Sequence, residues 1–265
     1  MIDIHNHVIY KFDDGPQSLA ESLDMLRVAA EQGITDVFAT SHFSEIIPPE
    51  LEKDYFTKLE ILRGEAHLEK IPVRIHSGGE MFYHHFLDQT VKQTGVGTLG
   101  KKGLYVLMEF PMFLMPTGAE EILFKLTTDG YIPIVAHPER YSAVLQKPTK
   151  ALEFIKYGAL LQVNAGSVLG DFGREVQKIA LWLVENGYVH FLGSDAHAPR
   201  GRTFRMKEAA EALKGRIEEE QIHNLVEGNP RKILENQPLE PASLPDTTEA
   251  ETGFFRRMKK KLRLG

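Results

Sequence analysis

Side chains able to hold metal ions recur through the first two hundred residues: His5 and His7, His42, Glu80, Glu109, His137, then Asp195 and His197. Two of the pairs, His5/His7 and Asp195/His197, are spaced i, i+2, which in an extended chain sends both side chains to one face. Five imidazoles and three carboxylates converging on one point would be costly to bury unless cations balanced them. Divalent ions resolve that cost, and so many donors exceed what one ion can take but suit two or three ions bridged by a carboxylate. Nitrogen and oxygen donors without sulfur admit manganese, iron, zinc or cobalt and do not choose among them. The stretch "DDGP" at 13–16 reads either as turn and helix-entry chemistry or as the source of one more ligand, Asp14. Arg140 and Arg202 follow His137 and His197 closely and suit a bidentate anion such as phosphate, or else are surface charges.

Such a set needs a scaffold that brings distant segments together. Runs rich in β-branched residues alternate with segments of helical period, the pattern of βα units around a parallel sheet. Strands are expected at Ile2 to His7, Asp36 to Ser41, Val73 to Gly78, Tyr105 to Phe110, Ile132 to Ala136, Leu160 to Val163 and Val189 to Gly193. Helices are expected at Ser18 to Gln32, opened by a Ser18/Glu21 capping box, and at Gly118 to Asp129 and Arg174 to Asn186. The candidate ligands fall at the carboxyl ends of six of these strands. Both a closed barrel and an open doubly wound sheet place a site there, and periodicity does not decide between them. His67, His84, His85, His190 and His223 lack the strand-end ordering, and His76, deeper in its strand than Glu80, is expected in the core.

Composition removes several alternatives. The 265 residues contain no cysteine, which excludes disulfides, thiolate zinc sites and a cysteine nucleophile. Hydrolysis of a phosphate ester would then fall to metal-activated water. The chain is 42% hydrophobic but has no run of ~20 apolar residues and no opening pattern of a secretion signal, so a cytoplasmic protein is expected. Six positive charges sit in the last ten residues, so the preceding 255 carry −12 against the chain's −6, an unsuitable surface for non-specific nucleic-acid binding. Regular patterning stops near 235; residues 236–253, with three prolines and several acids, read as a flexible linker. In "GFFRRMKKKLRLG", Phe254, Met258 and Leu262 lie four apart, so residues 254–265 read as a basic amphipathic tail able to meet anionic lipid at the inner membrane face or a partner protein.

Taken in order, "DIHNH", "TSH", "GGE", "MEFP", "AHPER" and "GSDAH" resemble the PHP (polymerase and histidinol phosphatase) superfamily. With "DDGP" and "NPRKIL", residues 1–235 are most similar to its bacterial manganese-dependent protein-tyrosine phosphatases of capsule and exopolysaccharide synthesis, the CpsB- and YwqE-like enzymes. The resemblance implies an α/β fold, a distorted (β/α)7 TIM-like barrel, with three divalent ions, manganese foremost. By motif position His5, His7, Glu80 and Asp195 would hold one ion, Glu80 with Glu109 and His137 a second, and Asp14, His42 and His197 a third. Arg140 and Arg202 would contact phosphate. The implied substrate is a phosphotyrosyl protein, a membrane-associated tyrosine kinase. The alternatives are a small-molecule phosphatase of the histidinol-phosphate type and a non-catalytic, metal-stabilised scaffold of a kinase complex.

Overall fold

A computed structural model describes residues 1–44 and 47–244. Its centre is one seven-stranded parallel sheet in sequential order: β1 (Ile2–Asn6), β2 (Asp36–Phe43), β3 (Arg74–Phe82), β4 (Tyr105–Glu109), β5 (Ile132–Ala136), β6 (Leu160–Asn164) and β7 (Phe191–Gly193). The sheet curls into a nearly closed barrel surrounded by helices. Its inner face is plugged by Ile4, Phe38, Tyr105, Leu107, Ile134 and Phe191, while the outer face packs on helices such as Leu19–Glu31, Pro49–Leu68, Ala119–Thr128 and Arg174–Glu185. In the first of these helices Ser18 caps the backbone N–H of Glu21, whereas the Glu21 carboxylate accepts from Gln17 N. Only half of the expected capping box forms.

The first and last strands meet through few bonds. Asp195 N donates to His5 O at 2.7 Å and His7 N to Ala196 O at 2.8 Å. The buried Asp3 carboxylate accepts from Ser194 N and Ser194 Oγ at 2.9 and 2.6 Å. This seam lies at the carboxyl end of the barrel.

Two departures from the expected strands matter for the site. In β1, Asp3 pairs with Val37 but Asn6 with Ala39, so three residues span two and a bulge intervenes. Ile2 and Ile4 belong to the inner plug, and the extra residue is what then brings His5 and His7, of opposite parity, to that same inner face. In β3 the strand continues past Gly78 to Phe82. Glycine there answers close packing and does not end the strand: a Cβ on Gly79 would stand 2.7 Å from the Phe43 ring and 2.9 Å from Val96 O.

Residues 236–244, the described part of the segment read as a flexible linker, lie against the barrel. Asn236 Oδ1 accepts from Leu104 N, Gln237 O accepts from Tyr105 Oη, and Leu239 packs on the inner cluster. The 254–265 tail lies outside the described residues. Among those described, no helix is long and apolar enough to cross a membrane.

Candidate metal centre

Every candidate ligand comes to the carboxyl mouth of the barrel. His5 Nε2 stands 3.2 Å from Glu80 Oε2 and 3.5 Å from Asp195 Oδ1; His7 Nε2 stands 3.4 and 3.5 Å from the same two oxygens. All four side chains are buried. Among the described residues, none of these four atoms has a hydrogen-bond partner. Four buried polar atoms crowded together without hydrogen bonds, one of them also 3.0 Å from His42 Nδ1, are costly in any dry site, and a cation between them lowers that cost.

Two neighbouring groupings extend the cluster. His7, Asp14, His42 and His197 bring donor atoms within 4.8 Å of one another, as do His42, Glu80 and Glu109. His137 Nε2 reaches Glu80 Oε1 at 3.2 Å and Glu109 Oε1 at 3.7 Å. His7 and His42 each take part in two of the three groupings, so the donor sets overlap more than the partition implied by the motifs. Arg140 and Arg202 both donate to Asp195 Oδ2, at 3.0 and 2.6 Å, and the Arg140 guanidinium lies 4.5 Å over the Phe172 ring. His137 and Asp195 hold φ of +32° and +53°, a region that non-glycine residues avoid at a cost of about 1–3 kcal/mol each.

The residues that aim the donors lie outside the set expected from the sequence. Gln162 Oε1 accepts from His5 Nδ1 at 2.8 Å, which turns the other ring nitrogen to the mouth. Gln162 Nε2 donates to Asn164 Oδ1 and Asn164 Nδ2 to Asp195 Oδ2, at 2.8 and 2.7 Å. β6, the strand without a candidate ligand, thus ties two candidate ligands together from beneath. Its signal was present: Gln162 and Asn164 are i, i+2 in the apolar strand "LLQVN", the same spacing as His5 and His7. Asp13 plays the corresponding part for the next two donors. Its Oδ2 accepts from His7 Nδ1 at 2.9 Å and from His42 N at 3.0 Å. Gly15 lets that loop cross β1, because a Cβ there would fall 2.5 Å from His7 O. His76, expected in the core, is half-buried and pairs with Asp36 at 2.8 Å at the far end of β2 and β3, because the buried Asp36 carboxylate draws it and the exposed Arg74 to that end.

Electrostatics follow the crowding. Burial alone would depress His5, but the Glu80 and Asp195 charges outweigh it and lift the imidazole to about 9. Burial likewise opposes the charge on Glu80, yet His5 and the imidazoles around it hold the carboxyl well below its usual range. Glu109, buried and beside the Glu80 charge, is pushed up to about 7. His197 falls to about 4 through burial and the neighbouring His7 charge. Protons therefore bind where cations are wanted, and a divalent ion would compete with them for the same nitrogens.

Residues 1–235 match the family model for capsular polysaccharide synthesis proteins CpsB/CapC. The putative tyrosine-protein phosphatase CapC of Staphylococcus aureus is 32% identical over 240 residues, 90% of this chain and 93% of that protein. The tyrosine-protein phosphatase YwqE of Bacillus subtilis is also 32% identical, over 239 residues, 90% of this chain and 93% of that protein. A crystal structure from work on YwqE of B. subtilis and CpsB of Streptococcus pneumoniae, described there as unique metal-dependent tyrosine phosphatases, superposes with a TM-score of 0.84 at 31% identity, covering 92% of this chain and all of the other.

Proposed function

The chain belongs to the CpsB/CapC family of capsular polysaccharide synthesis, and from that premise we propose that it is a metal-dependent tyrosine-protein phosphatase. The observation that carries the reading is the meeting of His5 Nε2, His7 Nε2, Glu80 Oε2 and Asp195 Oδ1, buried and without hydrogen bonds among the described residues, at the barrel mouth. His5, His7, Glu80 and Asp195 would hold one ion, Glu80, Glu109 and His137 a second, and Asp14, His42 and His197 a third, with manganese as the working ion and iron, zinc or cobalt as substitutes. Divalent ions in that site supply Lewis-acid polarisation of a phosphoryl oxygen and acidify water at neutral pH.

The remaining work falls to the protein's own groups. Arg140 and Arg202 are each anchored by Asp195 through one nitrogen, and a guanidinium has five N–H donors, so both keep donors for the phosphoryl oxygens. Those contacts strengthen as charge gathers on phosphorus-bound oxygen in the transition state. Gln162 and Asp13 fix the ring orientation of His5 and His7, so the donor set is in place before substrate arrives. A tyrosine phenolate, with an ordinary pKa of about 10, leaves more readily than an alkoxide and needs less help from an acid. The absence of cysteine leaves no route through a phosphocysteine.

The substrate in this reading is a phosphotyrosyl protein, a membrane-associated bacterial tyrosine kinase of capsule synthesis, met in the cytoplasm at the inner membrane face, with residues 254–265 as the contact to lipid or kinase. The test combines metal analysis of the purified protein with phosphotyrosyl-peptide turnover before chelation, after it, and after return of manganese, iron, zinc or cobalt. Turnover should vanish with the metal and return with it, and histidinol phosphate should be a far slower substrate. Undiminished turnover by protein measured to be metal-free would overturn the proposal.

A further inference from the structure

One aromatic side chain at the mouth has no role in the chemistry above. Phe82 ends β3 two residues beyond Glu80, on the same face of the strand. It pairs directly with Glu109 on β4, while Glu80 pairs with Leu107 one layer deeper. Phe82 is 39% exposed, although Met81 and Tyr83 beside it are buried. With a strand rise of ~3.3 Å per residue, its Cα lies roughly 6–7 Å outward of Glu80's. A partly exposed phenyl group therefore stands one layer outward of Glu80 on the same face of β3, beside Glu109.

We infer that Phe82 is a specificity-determining residue, the β3-side wall against which the aromatic ring of an aryl phosphate packs. In an aryl phosphate the ring begins one bridging oxygen from phosphorus. With the phosphoryl group over Glu80 and between Arg140 and Arg202, the ring must cross the Glu109/Phe82 layer, where an edge-to-face or offset contact is available. A phosphoseryl group presents only a methylene there and gains nothing from the wall. The same contact explains why an apolar ring is left exposed beside two carboxylates. The inference rests on the phosphatase reading and adds the selection of aromatic over alkyl esters.

The test is steady-state kinetics of the metal-loaded enzyme with phosphotyrosyl peptide and phenyl phosphate, with inorganic phosphate as a ring-free competitor. Phe82→Ala should lower kcat/KM for both aryl esters about tenfold, with the inhibition constant of phosphate and the metal content at wild-type values. Phe82→Leu, which keeps apolar bulk in the strand but lacks the ring, should show the same loss, and Phe82→Tyr should retain wild-type rates. Unchanged aryl turnover in the Leu or Ala variant would overturn the inference, as would a loss matched by equally weakened phosphate binding, which would mean a damaged donor cluster. A metal-loaded wild-type enzyme that binds phosphate but turns over neither aryl ester would instead bring down the phosphatase reading, and this inference with it.

Discussion

His5 and His190 are both buried, one at the mouth of the barrel and the other just ahead of β7 at the opposite end, and they are driven in opposite directions. Among the described residues His190 meets no carboxylate; burial takes it down to about 4, and its Nδ1 accepts a bond from Leu161 N as a neutral ring should. His5 is buried more completely, yet Glu80 and Asp195 raise it to about 9. The contrast separates two effects that a count of buried histidines would merge. The surroundings of His190 keep charge out. The mouth gathers buried carboxylates that hold protons on the imidazoles facing them, and a divalent ion can take the place of those protons.

The sharpest way to break this contrast is to remove a charge from one end and bulk from the other. Asp195→Ala should cut phosphotyrosine turnover by orders of magnitude with the circular dichroism of the fold retained, because Asp195 faces both His5 and His7 and anchors both arginines. Leu107→Ala, in the fully buried plug, should cost about 2–5 kcal/mol in urea denaturation and leave turnover per folded molecule unchanged. If the two variants exchanged phenotypes, the division between mouth and plug would be wrong.

A smaller effect is expected at Asp13, which touches the donors only from behind. Asp13→Asn should weaken metal affinity about 10- to 100-fold, measured by competition with a chelator, since the His7 ring loses its carboxylate partner. Wild-type affinity in that variant would remove Asp13 from the site.

The gentlest test uses pH on metal-free protein. His190 lies below its ordinary value of 6.5 when folded, so its stabilisation is present above pH 6.5 and is lost as pH falls through about 4. His5 lies above the same value, so its stabilisation is present below pH 6.5 and is lost as pH rises through about 9. Each limb has a limiting slope of about 1.4 kcal/mol per pH unit. Replacing His190 by Gln should flatten the acid limb of a denaturation series and leave the alkaline limb alone, while loading with metal should abolish the alkaline limb. An alkaline limb that survives metal loading would show that His5 keeps its proton and is not a ligand.

Much of this was legible in the sequence because strand ends and chemistry-bearing side chains coincide. β5 runs Ile132–Ala136 as expected from its β-branched residues, and the convergence of the candidate ligands at strand ends could be read from type and position. The parity change in β1 could not, since a bulge is specified by pairing to β2 and not by the letters "DIHNH". Gly78 and Gly79 suggested an end to β3 where packing against Leu99, Phe43 and Val96 was the cause. The parts of Gln162 and Asp13 are not legible in the sequence because an amide or acid reveals its purpose only once its partner is known, and for Gln162 that partner, His5, is 157 residues away.

The sparse seam between β1 and β7 has a consequence for how the barrel holds its shape. Its two edges carry His5 and His7 on one side and Asp195 and His197 on the other, so any ion gripping both acts as a clasp on a cylinder that the backbone alone only loosely fastens. Fastening and loading then become a single equilibrium, and slowed amide exchange at His7 and Asp195 would register the arrival of metal with no substrate present.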